Sequence, residues 1–324
     1  MPHQPIVHIG LGKTATTSLQ RNVFPNIPNL RDGIAYNDKA LVAQLCRRHF
    51  MTADEEKKFQ DSIRLGKHFI SLESLVDWNP RNWKVAAEQN LRLFGHETTI
   101  IITVRDTESY LCSVYQQMVH EGHVWNPVEF FVNFEEFERI APLLPSFGLF
   151  KFDVDSFDLE ILHKIYAEKF AKVVIVPLSS VNELGFMREI FNLNDGELEI
   201  LKSKMKEGRT YNRSYSRRAM ALTMKREKLL NSLGLMSYCS ATQEIIFRED
   251  AQLHNELREL KFVGSFRGFP RFVMKRIIKE LNWRNFIQRR FDRIFPYEKY
   301  SLPHNVYRNK ELARKNDNFI KKFE

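Results

Sequence analysis

The run 98–104 constrains the fold of this 324-residue chain more than any other segment. All seven of its residues are Thr, Ile or Val, the β-branched types that favour strands. Polar and apolar residues do not alternate along it, which is typical of a parallel sheet covered by helices on both faces. The run therefore predicts a central, doubly covered strand.

Strand and helix patterns alternate around this run. Further strands are predicted at 6–9, 68–72 and 172–176. A first helix is predicted at 16–24, and Pro25 and Pro28 would stop it. Further helices are predicted at 52–64, 80–95, 107–121, 179–191, 197–206, 213–233, 271–295 and 311–323. Such alternation favours parallel β-α units. We expect one α/β domain over 1–324, with a parallel-sheet core in 1–200, helices on both of its faces, and a mostly helical, basic extension in 201–324.

The composition limits the cellular setting of the protein. No stretch approaches the roughly 20 apolar residues that cross a bilayer, and the first residues lack the basic and apolar segments of a signal peptide. The three cysteines, Cys46, Cys112 and Cys239, are far apart and form no CxxC pair. This pattern argues against a disulfide framework or a zinc site. We expect a cytoplasmic protein.

The net charge of +9 is concentrated at the C-terminal end of the chain. Residues 271–324 carry 15 Lys and Arg against 6 Asp and Glu, so the preceding residues are close to neutral. The predicted helix 271–295 interleaves apolar and basic residues, which favours a packed helix with a solvated outer face. A peripheral contact with a membrane or an acidic glycan through 271–324 is the alternative interpretation. No nucleic-acid partner is expected.

The segment 8–20 carries the strongest functional signal. It reads His-Ile-Gly-Leu-Gly-Lys-Thr-Ala-Thr-Thr-Ser-Leu-Gln, so a strand leads through Gly10 and Gly12 into Lys13 and the start of a helix. Backbone N–H groups, the helix dipole and the Lys13 ammonium would converge there on an anion such as a phosphate. The residues whose hydroxyls could add donors are Thr14, Thr16, Thr17 and Ser18.

This loop is too short for the nucleotide loop of ordinary kinases. The pattern G-x-x-x-x-G-K-[ST] would need a glycine five residues before Gly12, where the chain has Val7. A P-loop kinase of a small metabolite, with ATP and magnesium, is therefore kept as an alternative function. A non-catalytic module that binds a polyanion or a membrane is the other alternative.

A second signal follows the central run, at Arg105. Parallel strands end at the same edge of a sheet, so Arg105 and the loop at Lys13 can face one ligand. Ser113, two helical turns into the next helix, could join Arg105 on a second phosphate. Asp106 leaves a metal site possible at this strand end.

Together these motifs resemble the sulfotransferases that use 3′-phosphoadenosine-5′-phosphosulfate (PAPS), specifically their bacterial and carbohydrate-type branch. The segment 8–20 is similar to that family's 5′-phosphosulfate loop, and Arg105 with Ser113 is similar to its 3′-phosphate clamp. Weaker similarity extends to 69–75, 173–177 and 311–317, whereas 205–270 matches no part of the family.

The resemblance implies a P-loop-like core and PAPS as co-substrate, with no metal required. The implied donor-binding residues are Gly10, Gly12, Lys13, Thr14, Ala15, Thr16, Thr17, Ser18, Arg105 and Ser113. Ala15 stands where the family loop usually has glycine, which narrows the backbone angles allowed there. The implied reaction moves a sulfuryl group to a hydroxyl or amine acceptor, a carbohydrate or another small metabolite.

Two residues would then carry the chemistry. Lys13 would stabilise the negative charge of the leaving oxygen. Glu73, in the segment similar to one whose Glu can serve as base, would take the proton of the acceptor. His120 and His123 are the competing bases, and His8 is expected to be a packed core residue.

Overall fold

The computed structural model describes residues 4–120, 125–140, 151–207, 214–232, 294–306 and 309–324. They form two compact units. The first comprises Met1–Tyr110, Asp155–Tyr211 and Asn309–Glu324, and the second comprises Leu111–Val154 and Asn212–Arg308. These bounds differ from the division expected at residue 200, because Leu111–Val154 belongs to the second unit and Asn309–Glu324 to the first.

The first unit is built on a parallel sheet. The strands of the described residues are β1 (Ile6–Gly10), β2 (Ile34–Tyr36), β3 (Lys67–Ser71), β4 (Thr99–Val104), β5 (Phe131–Val132), β6 (Phe152–Asp153) and β7 (Lys172–Pro177). Five of them form one sheet in the order β2-β3-β1-β4-β7, and all neighbours are parallel. The predicted α/β fold with a parallel-sheet core is confirmed.

Helices separate these strands along the chain. They are α1 (Thr16–Ser18), α2 (Ile27–Leu30), α3 (Lys39–Leu45), α4 (Ala53–Leu65), α5 (Trp83–Phe94), α6 (Thr107–His120), α7 (Pro127–Phe130), α8 (Phe134–Ile140), α9 (Leu159–Ala167), α10 (Gly185–Phe191), α11 (Asp195–Glu207), α12 (Arg217–Ser232) and α13 (Lys310–Lys321). Short π or 3-10 segments lie at Leu19–Val23, Phe24–Asn26, Arg48–Phe50, Glu73–Leu75, Pro80–Asn82 and Val181–Glu183.

Strand β4 has the central position that its composition predicts. It pairs with β1 on one side and β7 on the other. Every residue from Ile100 to Val104 is buried, so both faces of the strand are covered. Because β1 is flanked by β3 and β4, the chain passes from one side of β1 to the other after β3. The carboxyl edge at β1 is therefore the crevice where ligands bind in such sheets.

Two helix boundaries show how local sequence signals act. Thr52 accepts a hydrogen bond from the Glu55 amide, and the Glu55 carboxylate accepts one from the Thr52 amide, so a capping box opens α4 as predicted. Gly95, with φ of 84°, ends α5 where the sequence places its end.

The first helical segment was predicted wrongly at its end. Pro25 and Pro28 were expected to stop a helix, yet helical structure continues to Leu30. Each proline occupies one of the first two positions of a new short helix. Backbone N–H groups at these positions make no hydrogen bond within the helix, so a proline, which lacks the N–H, is tolerated there. The prolines therefore divide the segment into turns without ending it.

An aromatic cluster fills one face of the sheet. Phe24 meets Phe69 edge-on with 4.8 Å between ring centroids, and Phe69 meets Phe191 in the same way at 5.0 Å. Leu19, Val23 and other buried residues of the helices after β1 and β7 pack around these rings. This packing fixes the helix that follows the loop 11–15 against the sheet.

Helix α13 is anchored by one fully buried amide. The Asn316 side chain accepts from the Leu159 amide at 2.9 Å and donates to the Phe157 carbonyl at 2.7 Å and to the Thr107 hydroxyl at 3.1 Å. Lys315 adds an ion pair with Asp158 at 2.6 Å. The C-terminal helix is thereby tied to the start of α6, directly after Arg105.

The second unit contains most of α6 together with α7, α8, α12 and the parallel pair β5-β6. Aromatic rings dominate its described core, with Phe130 and Phe131 packed edge-on at 4.8 Å. Tyr115 lies beside both of them and beside Tyr300.

Some sequence predictions lie outside the described residues. These are the helix 271–295 up to residue 293, the last residue of the helix 107–121, both end residues of the helix 213–233, His123 and Cys239. Within the described ranges, no helix combines the length and the apolar character needed to span a membrane.

Candidate anion-binding site

The loop 11–15 connects β1 to α1 at the carboxyl edge of the sheet. Its backbone takes left-handed angles at Lys13 (φ 67°) and Ala15 (φ 63°), and Gly10 precedes it with φ of 106°. Ala15 immediately precedes α1, and its carbonyl accepts from the amides of Ser18 and Leu19. The loop thus folds directly into the first turn of a helix, the arrangement that favours anion binding.

The inner side of the loop is fixed to β4. The Leu11 amide donates to the Thr103 carbonyl at 2.8 Å. The Thr14 hydroxyl donates to the Leu11 carbonyl and lies 2.5 Å from the Thr103 hydroxyl. Thr14 is fully buried and its hydroxyl is bonded within the protein, so its contact with a ligand stays a prediction.

Glu73 lies on the side of the loop that faces β3. The Thr16 hydroxyl donates to Glu73 Oε1, so this hydroxyl too is used within the protein. A Cβ placed on Gly12 would lie 3.0 Å from Glu73 Oε2 and 3.2 Å from the Trp78 ring. A larger residue at position 12 would have to displace Glu73 or Trp78 by a few tenths of an ångström, so glycine is favoured there, and both side chains border the loop.

The environment of Glu73 makes its carboxyl group basic. Burial raises its pKa above the ordinary value, while the hydrogen bond from Thr16 and the positive charge of Lys13 act in the opposite direction. A carboxylate held in this way is a stronger proton acceptor than an exposed one. The structure brings Lys13, Thr16 and Glu73 together, as the sequence predicted for Lys13 and Glu73.

The turn that carries Glu73 rests on buried polar residues. Asp77, 2% exposed, accepts from the Asn79 amide at 2.8 Å and the Asn82 side chain at 2.9 Å. Burial raises the pKa of Asp77 to about 6, opposed by these bonds and by the charge of Arg48. Arg48 is itself buried and donates to the Ser74 carbonyl, which holds the residue next to Glu73.

Arg105 borders the loop from the β4 side. Its Nη1 donates to the Lys13 carbonyl at 3.0 Å, so the strand end and the loop are joined by a charge-assisted hydrogen bond. The Arg105 guanidinium thus lies against the loop backbone at Lys13, at the carboxyl edge of the sheet.

A cavity of about 480 Å³ opens beside Arg105, between the ends of β4 and β7 and helix α13. Its lining is Arg105, Asp106, Leu178, Ser179, Asp317, Ile320, Lys321 and Glu324. The mixture of two cations, three carboxylates and apolar side chains suits a polar ligand with an apolar face.

Asp317 is the polar group of this cavity that the sequence reasoning missed. One of its oxygens accepts from the Thr107 amide, and its Oδ1 is buried with no hydrogen-bond partner among the described residues. Burial raises its pKa, and the neighbouring charges of Asp106 and Glu108 raise it further, against the Thr107 hydrogen bond. A buried acceptor without a partner favours a ligand that carries an N–H or O–H group. The only sequence signal for it was the weak similarity at 311–317.

Ser113 and His120 lie on the part of α6 that belongs to the second unit. Ser113 is partly buried. His120 Nδ1 lies 3.0 Å from the Tyr215 hydroxyl. The pairing of Ser113 with Arg105 on one phosphate stays a prediction.

Comparisons with known proteins found no family model, no curated protein and no solved structure that matches this chain. Within the described ranges, no three His, Cys, Asp or Glu side chains group as a set of metal ligands.

The left-handed backbone at Ala15 generates a testable expectation. A non-glycine residue pays roughly 1–2 kcal/mol in this conformation, and glycine loses roughly 0.5–1 kcal/mol in unfolded-chain entropy. Ala15→Gly should therefore leave the free energy of unfolding unchanged or raise it by up to about 1.5 kcal/mol. Ala43→Gly, at an exposed position of right-handed α3, should lower it by about 1 kcal/mol. Urea unfolding of both variants measures the difference; equal losses would contradict the left-handed assignment.

Proposed function

We propose that this protein transfers a sulfuryl group from PAPS to a hydroxyl or amine acceptor. The observation that carries the proposal is the convergence of Lys13, Arg105 and Glu73 on one loop at the carboxyl edge of the sheet. The reaction requires three groups: a cation beside the donor anion, a second cation for the second phosphate, and a basic carboxylate for the acceptor.

The chemistry follows from these groups. A lone pair of the acceptor oxygen or nitrogen attacks the sulfur, and the bond from sulfur to the bridging oxygen of the 5′-phosphate breaks. The electron pair stays on that oxygen, which leaves as part of 3′-phosphoadenosine-5′-phosphate. Lys13 stabilises the charge that develops there, and Glu73 takes the proton of the acceptor.

The cavity beside Arg105 supports the choice of a nucleotide donor. Its volume of about 480 Å³ is of the size that small-molecule sites have. In the proposal Arg105 binds the 3′-phosphate, and the buried Oδ1 of Asp317 accepts from an amino or hydroxyl group of the nucleoside. Leu178 and Ile320 would contact the apolar face of the base.

The setting of the reaction is part of the same proposal. A cytoplasmic location rests on the scattered cysteines, of which Cys46 is exposed and Cys112 is buried. A peripheral contact of 271–324 with a membrane or an acidic glycan stays a prediction, as does the carbohydrate or small-metabolite acceptor.

Binding of 3′-phosphoadenosine-5′-phosphate should be selective and independent of metal. Calorimetry should give the same affinity with and without EDTA, and weaker binding of 5′-AMP and ATP. Arg105→Ala should lower the affinity about 10- to 100-fold, because one charge-assisted contact contributes roughly 1.5–3 kcal/mol. The matched control is Arg64→Ala, an exposed arginine on α4. Equal affinity for ATP with a magnesium requirement would favour a kinase, and binding of neither nucleotide would favour a non-catalytic module.

Lys13→Ala should abolish most of the transfer while the protein stays folded. The partly exposed Lys13 side chain contributes charge more than packing, and removing one preorganised electrostatic donor costs on the order of 10²–10³ in turnover. Steady-state rates with labelled PAPS, next to circular dichroism of the same sample, measure both quantities. A loss below about tenfold would remove Lys13 from the catalytic role.

Glu73→Gln should lower transfer by about 10²–10⁴ and leave binding of 3′-phosphoadenosine-5′-phosphate intact. His120→Ala is the comparison and should be mild. In the wild type, kcat/KM should rise with pH through the raised pKa of Glu73, and this step should disappear in the variant.

Stability gives an independent check on the same variant. The pKa of Glu73 is higher in the folded protein than in the unfolded chain, so the folded state holds this proton more tightly. The free energy of unfolding therefore falls as the pH rises from the unfolded-state pKa through the folded-state pKa. Glu73→Gln should therefore be more stable than the wild type near neutral pH, and the gain should vanish below the ordinary pKa of glutamate. A His120 variant that loses transfer while Glu73→Gln keeps it would overturn the assignment.

A further inference from the structure

The two ends of the segment 8–20, His8 and Gln20, have no role in the proposed chemistry. His8 is fully buried in β1 between its two neighbouring strands. Its Nδ1 lies 2.7 Å from the Ser71 hydroxyl of β3, and its Nε2 lies 3.3 Å from the Thr103 hydroxyl of β4. A buried imidazole is tolerated when both of its nitrogens are hydrogen-bonded, and both are.

These contacts extend to both sides of the loop 11–15. Beyond Ser71, the Gln20 side chain donates to the Ser71 hydroxyl at 3.0 Å. Beyond Thr103, the Thr14 hydroxyl lies at 2.5 Å and donates in turn to the Leu11 carbonyl. An unbroken chain of hydrogen bonds therefore runs from the helix after the loop, through β3, β1 and β4, back into the loop.

The direction of every bond on the Thr14 side follows from counting hydrogens. A hydroxyl has one hydrogen to donate, and Thr14 gives its own to Leu11. At the 2.5 Å contact the donor must then be Thr103, whose other possible acceptors, Nε2 of His8 and the Leu11 carbonyl, lie farther away at 3.3 Å and 3.5 Å. With its hydrogen used, Thr103 can only accept from His8, so Nε2 of His8 carries a hydrogen.

The directions of the hydrogen bonds on the Ser71 side follow from the charge of His8. Burial lowers the pKa of His8 to about 3, so the ring is neutral and Nδ1 has no hydrogen. Nδ1 accepts from the Ser71 hydroxyl, and the Ser71 oxygen accepts from the Gln20 amide, which can only donate. The bonds named here all point from Gln20 toward Leu11, and the Tyr36 hydroxyl is a further partner of Ser71. Bonds aligned in one direction polarise one another and strengthen the chain.

We propose that His8 is a positioning residue, a neutral imidazole with its hydrogen on Nε2 that holds the loop 11–15 through Thr103 and Thr14. These hydrogen bonds fix the carbonyl of Leu11 and the side chain of Thr14 on the side of the loop that faces the sheet. The Lys13 ammonium and the loop amides are thereby held ready for the anion before it binds. The effect on transfer rests on the proposed function, whereas the tautomer and the loop order do not.

The tautomer is tested by nitrogen NMR of the full chain labelled at histidine, with the His8 signals identified by their loss in His8→Gln. Nδ1 should be unprotonated and Nε2 protonated, with no titration from about pH 5 to about pH 8. A hydrogen on Nδ1, or a titration in this range, would overturn the proposal.

The loop order is tested by amide hydrogen exchange in Thr103→Val, which removes the hydroxyl and keeps the shape. The control is Thr99→Val, the same change at the start of the same strand. Exchange in 11–14 should be about three- to tenfold faster in Thr103→Val than in the control, as expected for the loss of one net hydrogen bond. Equal exchange in the two variants would refute the positioning role.

The same role predicts a specific pattern of ligand binding at temperatures where each variant is folded. His8→Leu should weaken binding of 3′-phosphoadenosine-5′-phosphate by about tenfold, and His8→Gln, whose amide can still donate to Thr103, should recover part of it. A variant that is only less stable would keep the wild-type affinity, and that result would reduce His8 to a core residue. If the wild type binds no such nucleotide, the proposed function fails while the NMR and exchange measurements still decide the role of His8.

Discussion

The attachment of the loop 11–15 to Thr103 is the interaction on which the site depends. Thr103 accepts from the Leu11 amide through its carbonyl and contacts Thr14 through its hydroxyl. This attachment adds to the bonds that Lys13 accepts from Arg105 and Ala15 accepts from Ser18 and Leu19, and together these contacts compensate for the conformational cost of the two left-handed residues. The strand next to β1 therefore decides the shape of the loop, and the shape decides where the Lys13 ammonium stands.

Charge at the carboxyl edge is balanced between two sides. On the β4 side, Arg105 and Lys13 are joined through the loop backbone. On the β3 side, Glu73 is held by Thr16 and by a turn that depends on buried Asp77 and Arg48. Burial keeps the two carboxyl groups more basic than usual. The charge of Lys13 also acts on Glu73, so a cation and a basic carboxyl group meet at one loop. This grouping supports the proposed reaction, in which an anion leaves and a proton is taken up.

The end of the chain completes the first unit in a way that couples stability to the site. The Asn316 side chain forms hydrogen bonds with buried groups of α6, of α9 and of the segment before α9. If α13 detached from the first unit, these groups would lose their hydrogen-bond partners. The same helix supplies Asp317, Ile320 and Lys321 to the cavity beside Arg105. The residues that hold the helix in place and those that line the cavity are thus adjacent along the chain.

Local sequence determined most of the parallel sheet and many of the helix ends. The β-branched run of β4, the capping box at Thr52 and the glycine at 95 act through short-range preferences that need no partner. Short strand β2 was not predicted, because three residues at a sheet edge carry little periodic signal. Helix α9 was also missed, although Asp158 caps it and its buried residues Leu159, Leu162 and Tyr166 have helical spacing. The grouping of charged side chains at strand ends followed from the parallel topology, since all strands end at one edge.

Only the tertiary structure decided how each side chain of the site is used. The four hydroxyl residues between 14 and 18 look equivalent in sequence, yet Thr14 donates its hydroxyl hydrogen to Leu11 and Thr16 donates its own to Glu73. The tautomer of His8 depends on hydrogen bonds with residues up to 95 positions away, and the cavity at Asp317 depends on a helix from the far end of the chain. A hydrogen bond is specified by the positions of both partners, and for distant residues those positions exist only after the sheet has formed.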